Sequence, residues 1–202
     1  DRPEVKAFWW PRFERIARWF LEVEAGRRPD LDRAWTECKG SWSFDAPGGP
    51  FELTARADRI DRRAEGGGVI IDYKTGGLPT KKEVTDGLAP QLPLEGLILA
   101  EGGFDGLEAL DAQEVQFWRV RGADPPGEVA NIAAGRVLIE AAREGLAKLV
   151  AEFDREEMPY AATPHPDRAL RFNDYAHLAR EGEWSAEDGG DGEDNGAGEG
   201  GE

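Results

Sequence analysis

Val69-Ile70-Ile71-Asp72-Tyr73-Lys74-Thr75-Gly76 is an apolar run that ends on an acid and, two residues later, a lysine. Its β-branched start and glycine end mark a short buried strand. Side chains alternate across a strand, so Asp72 and Lys74 project together from its end and Tyr73 turns the other way. Upstream, Phe51 to Asp61 reads as a second strand that delivers Asp58 and Asp61. The Gly-rich connection Ala64-Glu65-Gly66-Gly67-Gly68 folds the two into a hairpin. Upstream carboxylates beside an Asp-x-Lys on the neighbouring strand amount to a small oxygen-donor site with a cation next to it.

Those residue types suit one chemistry. Phosphodiester hydrolysis needs a hard divalent cation, and such ions take carboxylate, backbone carbonyl and water oxygens. Asp58 and Asp72 are the expected side-chain ligands, with the Tyr73 backbone carbonyl beside them. Protonated Lys74 cannot bind a metal; it is suited to orienting water and offsetting transition-state charge. Taken alone, Asp72-x-Lys74 is more simply a surface ion pair on a strand end. Its company, Ala57-Asp58-Arg59-Ile60-Asp61 upstream and Pro90-Gln91-Leu92 downstream, favours the catalytic reading.

Three segments carry a resemblance: Ala55-Arg56-Ala57-Asp58-Arg59-Ile60-Asp61, Asp72-Tyr73-Lys74-Thr75-Gly76 and Gln91-Leu92-Pro93-Leu94-Glu95. Together they resemble the RecB-type branch of the PD-(D/E)xK nuclease superfamily. From Phe8-Trp9-Trp10-Pro11-Arg12-Phe13 to Asp174-Tyr175-Ala176-His177-Leu178-Ala179-Arg180 the chain is similar to the C-terminal nuclease domains of the AddB family, subunits of bacterial helicase–nucleases that process double-strand breaks. The resemblance spans roughly residues 3–184. It implies an α/β fold of restriction-endonuclease-like type, a mixed central sheet flanked by helices. It also implies a metal-dependent DNA exonuclease using Mg2+, with Mn2+ as a substitute. The expected partners are single-stranded DNA and an AddA-type helicase–nuclease subunit in a heterodimer. Asp58, Asp72, Lys74 and Gln91 fall on the family's catalytic positions, and Asp61, Glu37 and Arg59 are auxiliary candidates. Glu95 stands where many relatives have tyrosine. The family's first motif, a His or Glu on an upstream helix, has no counterpart here, because His165 and His177 come too late; that ligand is expected before Asp1. Some relatives hold an iron–sulfur cluster on four cysteines. Cys38 alone cannot build one, so none is expected.

Three other readings stay open: a related RecB-type nuclease of a phage or CRISPR-associated system, a nuclease-derived binding module without chemistry, and a structural domain at a DNA exit channel. Degenerate relatives characteristically lose the Asp or the Lys of the Asp-Tyr-Lys motif. Both are present here.

The 202 residues suffice for one domain with a sizeable core. The start on Asp rather than Met fits a piece of a longer polypeptide. No signal peptide or long apolar run stands out, and a lone cysteine suits a reducing cytoplasm, so no membrane association is expected. The net charge is −16, and residues 183–202 hold eight acids and no Lys or Arg. Residues 185–202, Gly-rich and acidic, are expected to form a disordered tail behind a domain of residues 1–184. The rest still carries −8. A free-standing nonspecific DNA binder is usually basic. A motor feeding strand into the site, with local cations Arg56, Arg59, Arg62, Arg63, Lys74, Lys81 and Lys82 serving it, reconciles the two.

Hydrophobic spacing predicts a first helix over residues 11–24, with Phe13, Ile16, Ala17, Phe20 and Leu21 as its core stripe. Strands follow over 35–46 and 50–61 around the turn Pro47-Gly48-Gly49-Pro50. A helix is predicted within 82–100, starting near Pro90 so that Gln91 faces the site from its first turn. Residues 113–121 read as a strand, 128–156 as one long helix, 158–166 as a linker and 173–180 as a short helix. No Gly-Lys-Ser/Thr phosphate loop or helicase motif is present; any ATPase lies elsewhere in a parent protein.

Overall fold

The structure, a computed structural model, describes residues 3–159, with side chains from Lys6. The predicted 173–180 helix, the acidic tail, His165 and most of the 158–166 linker lie outside the described residues. The compact unit that carries the motifs is Asp1–Glu156.

Helix α1 (Pro3–Arg27) and a single 3-10 turn (Arg28–Asp30) lead into a long hairpin of β1 (Leu31–Ala46) and β2 (Gly49–Arg63). Strand β3 (Gly68–Lys74) follows antiparallel to β2, and then come helices α2 (Lys81–Thr85) and α3 (Gln91–Ala100). Strand β4 (Ala112–Val120) pairs parallel with β3, β5 (Gly127–Ala133) antiparallel with β4, and α4 (Gly135–Phe153) closes the unit. The five strands form one mixed sheet in sequence order. The expected β2–β3 hairpin is present, and its glycines have a reason: Gly66 (φ 91°) and Gly67 (φ 81°) occupy left-handed backbone that L side chains avoid.

The sheet is covered on both faces. On one, Ile60, Ile70, Val115 and Phe117 pack against Leu92, Leu97, Ile98 and Leu99 of α3 and Ile139 of α4. Gly96 permits the close α3–α4 approach, since a Cβ there would lie 2.4 Å from Ile139 Cδ1. On the other face, Val69, Ile71 and Trp118 pack against Trp19, Phe20 and Val23 of α1. That two-sided burial is why β3 is almost wholly apolar before Asp72.

Two expectations are corrected. Residues 127–133 form strand β5, and the helix begins only at Gly135. Ile132 and Ala130 turn to the α3–α4 core and Val129 to the α1 side, so the segment alternates with period two. Pairing with β4 (Val115↔Ile132, Phe117↔Ala130) overrides a helical spacing that suited either reading. Helix α1 is longer than predicted, and its core stripe is shifted. Ile16, Trp19, Phe20 and Val23 are the partly buried face, while Phe13 is 58% and Leu21 66% exposed.

Between α1 and the sheet lies a charged network. The Arg59 guanidinium, 6% exposed, donates to Asp61 (Nε–Oδ1 2.7 Å) and Glu24 (Nη1–Oε1 2.7 Å). Arg27 donates to Asp61 Oδ2 at 2.9 Å. Burial works against the Arg59 charge, but hydrogen bonds to Glu24, Asp61 and Tyr73 hold its pKa above the ordinary value. Removing one partner of such a buried pair strands the others. Arg59→Ala is therefore expected to cost about 3–5 kcal/mol in urea unfolding. Arg62→Ala, whose pair with Asp32 is largely exposed, should cost about 1 kcal/mol or less.

Candidate active site

Strand β2 does not alternate evenly. Ala57 and Ile60, three residues apart, both enter the α3–α4 core, where Cys38 and Trp35 of β1 join them. In a regular strand, residues three apart face opposite sides. The break falls at Asp58, and across the ladder, between the pairs Thr36↔Arg59 and Cys38↔Ala57, Glu37 takes a left-handed φ of 56°. The β2–β3 ladder ends at Arg59↔Ile71. Continued, it would set Asp58 directly against Asp72, a like-charge pair that destabilises a sheet. Instead, Asp58 Oδ2 accepts the Tyr73 N–H at 2.9 Å.

Asp72, 4% exposed, is the hub of the site. Lys74 Nζ lies 3.0 Å from Asp72 Oδ1 and 2.9 Å from Oδ2. Gln91, the first residue of α3, donates from Nε2 to Asp72 Oδ1 at 2.9 Å and accepts from Lys74 at 3.3 Å. The same Nε2 reaches Glu95 Oε1 at 3.2 Å, one turn along the helix. Asp58, Asp72, Lys74 and Gln91, predicted separately, are thus drawn to one end of β3.

The auxiliary candidates are placed elsewhere. Arg59 and Asp61 belong to the α1 face, bound to each other and to Glu24 and Arg27; one and three residues from Asp58, they lie on the opposite side by ordinary alternation. Glu37 bridges to Arg56 at 2.6 Å, with both side chains about 60% exposed. Of the cations expected to serve the site, Arg62, Arg63 and Lys82 also sit in ion pairs, with Asp32, Glu114 and Asp86. Tyr73 turns its ring to Phe20 and Trp118, as alternation requires, while its backbone stays at the site. Glu95 stands out in the sequence as a departure from the family pattern, but sequence alone did not assign it to the site. It is 3% exposed, and a lone acid in the apolar helix Gln91–Ala100, four residues after Gln91, was the available signal.

The profile of the PD-(D/E)XK nuclease superfamily matches residues 3–169. The chain belongs to that superfamily. Its mixed sheet flanked by helices is the α/β fold expected of PD-(D/E)XK proteins. An uncharacterised protein of Rickettsia bellii is 24% identical over 187 residues, which are 86% of this chain and 22% of that protein. One from Rickettsia typhi is 35% identical over 101 residues, half of this chain and 12% of the relative. The chain thus spans less than a quarter of the length of these relatives. Among solved structures, SSO0001 overlaps 64% of this chain and 55% of its own, with 17% identity and a TM-score of 0.40.

Nucleases of the PD-(D/E)XK superfamily generally depend on divalent metal, and the donors here fit one. Asp58 and Asp72 supply hard oxygens. Asp72 Oδ2 is buried and accepts no hydrogen bond despite the nearby ammonium, and Glu95 Oε2 is buried and without any. Among the described residues, no three His, Cys, Asp or Glu side chains lie close enough to enclose an ion. Its other positions would fall to the Tyr73 carbonyl, water and substrate oxygens. A cavity of about 650 Å³ opens elsewhere; none of Asp58, Asp72, Lys74, Gln91 and Glu95 lines it.

Burial pushes the Glu95 carboxyl up to about 7; the Gln91 hydrogen bond and Lys74 work against the rise, and the charges of Asp72 and Asp58 add to it. Folding therefore favours the neutral acid. Between about pH 4.5 and about 7 the folded protein keeps a proton that the unfolded chain has released, so stability falls as pH rises through that window. The whole effect is on the order of 3 kcal/mol. Glu95→Gln should lack this loss. Its unfolding free energy relative to wild type should climb by that order between about pH 4 and about pH 8, measured by urea unfolding without metal.

Proposed function

We propose that this domain is a magnesium-dependent DNA exonuclease that hydrolyses single strands produced by a helicase during double-strand-break repair. The observation that carries the reading is the convergence of Lys74 and Gln91 on Asp72, with Asp58 tied to the adjoining Tyr73 N–H. Superfamily membership supports nuclease chemistry. The motif resemblance to AddB domains supports the narrower role, with an AddA-type subunit as partner and the cytoplasm as its place of work. Among the described residues, no helix is long and apolar enough to cross a membrane.

Asp58, Asp72 and the Tyr73 carbonyl would hold the ion, Mg2+ or Mn2+. When bound, it supplies Lewis acidity toward the phosphate and lowers the pKa of water. Lys74, held between Asp72 and Gln91, directs its ammonium at the non-bridging oxygens where negative charge accumulates. Gln91 fixes the orientation of both partners: its carbonyl oxygen faces the ammonium and its amide the carboxylate. The Asp58–Tyr73 bond sets the spacing of the two strands at that point. Delivery by a motor makes a strongly basic surface unnecessary, in keeping with the charge of −8 outside residues 183–202.

Asp72→Ala should abolish magnesium-dependent degradation of labelled single-stranded DNA by the parent protein. Unchanged degradation by that variant would refute the assignment. Lys74→Ala should slow cleavage by about 10²–10³ while retaining metal binding in calorimetry. Loss of the metal instead would make the lysine a structural residue.

A further inference from the structure

The Glu95 carboxylate has no structural occupation that explains it. It is enclosed by an apolar helix in which Leu92, Leu97, Ile98 and Leu99 are completely buried. Its one hydrogen bond comes from Gln91 Nε2, and Oε2 has no partner. A buried carboxylate oxygen without a donor or cation is costly, and a leucine or glutamine would pack there at less expense. That one amide nitrogen also holds Asp72 Oδ1. It ties two carboxyl groups side by side: Asp72 Oδ2 has the Lys74 ammonium 2.9 Å away, whereas Glu95 Oε2 is buried and without a hydrogen bond. Lys74 serves Asp72, and the second Glu95 oxygen is left for a further donor.

Resting on the nuclease reading above, we propose that Glu95 is a third carboxylate of the metal centre, acting across a water rather than as a direct ligand. The indirect role follows from the absence, among the described residues, of three carboxylates close enough to enclose an ion. It also fits magnesium, which keeps several of its waters when bound by proteins. Glu95 is thus a positioning residue: its free oxygen accepts from the ion's hydration shell, and its tie to Gln91 links that shell to Asp72 and Lys74.

The test compares wild type, Glu95→Gln and Asp72→Ala as full chains. Mn2+ affinity is read by calorimetry, and the Mn2+-induced rise in melting temperature by circular dichroism. Glu95→Gln retains an amide oxygen for the Gln91 hydrogen bond and should melt no lower than wild type without metal. It should bind Mn2+ about 10- to 100-fold more weakly and show a correspondingly smaller thermal shift. Asp72→Ala should lose both signals. Wild-type Mn2+ affinity in Glu95→Gln, with binding lost in Asp72→Ala, would overturn the role of Glu95 and leave the nuclease reading standing. Wild-type affinity in Asp72→Ala would instead refute the metal site itself. A Glu95→Gln protein that unfolds without metal would assign the residue to packing and overturn the proposal as well.

Discussion

The site depends on where one backbone proton goes. In a continued ladder Asp58 would stand opposite Asp72, two carboxylates about 5 Å apart at their Cβ atoms. The ladder ends one step earlier, at Arg59↔Ile71, and the Tyr73 N–H is taken by the side chain of Asp58. The exchange satisfies a donor that strand separation would orphan. It also opens a fork between β2 and β3 with oxygen atoms on both prongs. Replacing Asp58 would remove a carboxylate and leave the Tyr73 N–H without this acceptor, so loss of chemistry and loss of strand geometry should arrive together.

The same irregularity lets one strand serve two electrostatic environments. Before the break, Ala57 points into the α3–α4 core; after it, Arg59 and Asp61 point toward α1, where Glu24 and Arg27 complete a closed charge network. The sheet therefore separates two groups of charges. On the α1 face, acids and arginines are matched, and their burial fixes how the helix docks. On the α3 face, Lys74 pairs with Asp72 alone, while Asp58 binds the Tyr73 N–H and Glu95 binds Gln91, so acids outnumber the cation. The first arrangement is complete in itself; the second is completed by something that binds.

This asymmetry explains what could be read from the sequence. Strand β3, its hairpin to β2, and the shared face of Asp72 and Lys74 were legible because they follow from period-two alternation and glycine turn chemistry, both local rules. Gln91 was legible because Pro90 and Pro93 confine the start of its helix. The turn of Ala57 into the same core as Ile60 was not, since that break in alternation goes with Glu37 across the ladder adopting φ 56°. Strand β5 was hidden for a similar reason: its pairing with β4 is non-local, and its apolar residues suit either period. Glu95 was in view as a departure from a familiar tyrosine, but its meaning depended on burial.

A buried acid left half-satisfied is a weak point in a resting fold, and Glu95, whose Oε1 is held by Gln91 and whose Oε2 has no hydrogen bond, is one. Were stability the only demand, an apolar residue at position 95 and a fully paired Asp72 would serve better. Three carboxylates against one lysine leave two formal negative charges at the fork when all are ionised, which is the charge a divalent ion offsets. A strand of DNA would bring further negative charge to the same place, and the acidic character of the whole chain does nothing to attract it. Under the proposed function, ion and substrate would be coupled: the carboxylates would make the fork hospitable to the ion, and the ion together with Lys74 would make it hospitable to a phosphodiester. On this account the acidity of the site governs metal affinity, and delivery of the strand is a task for whatever pushes it there.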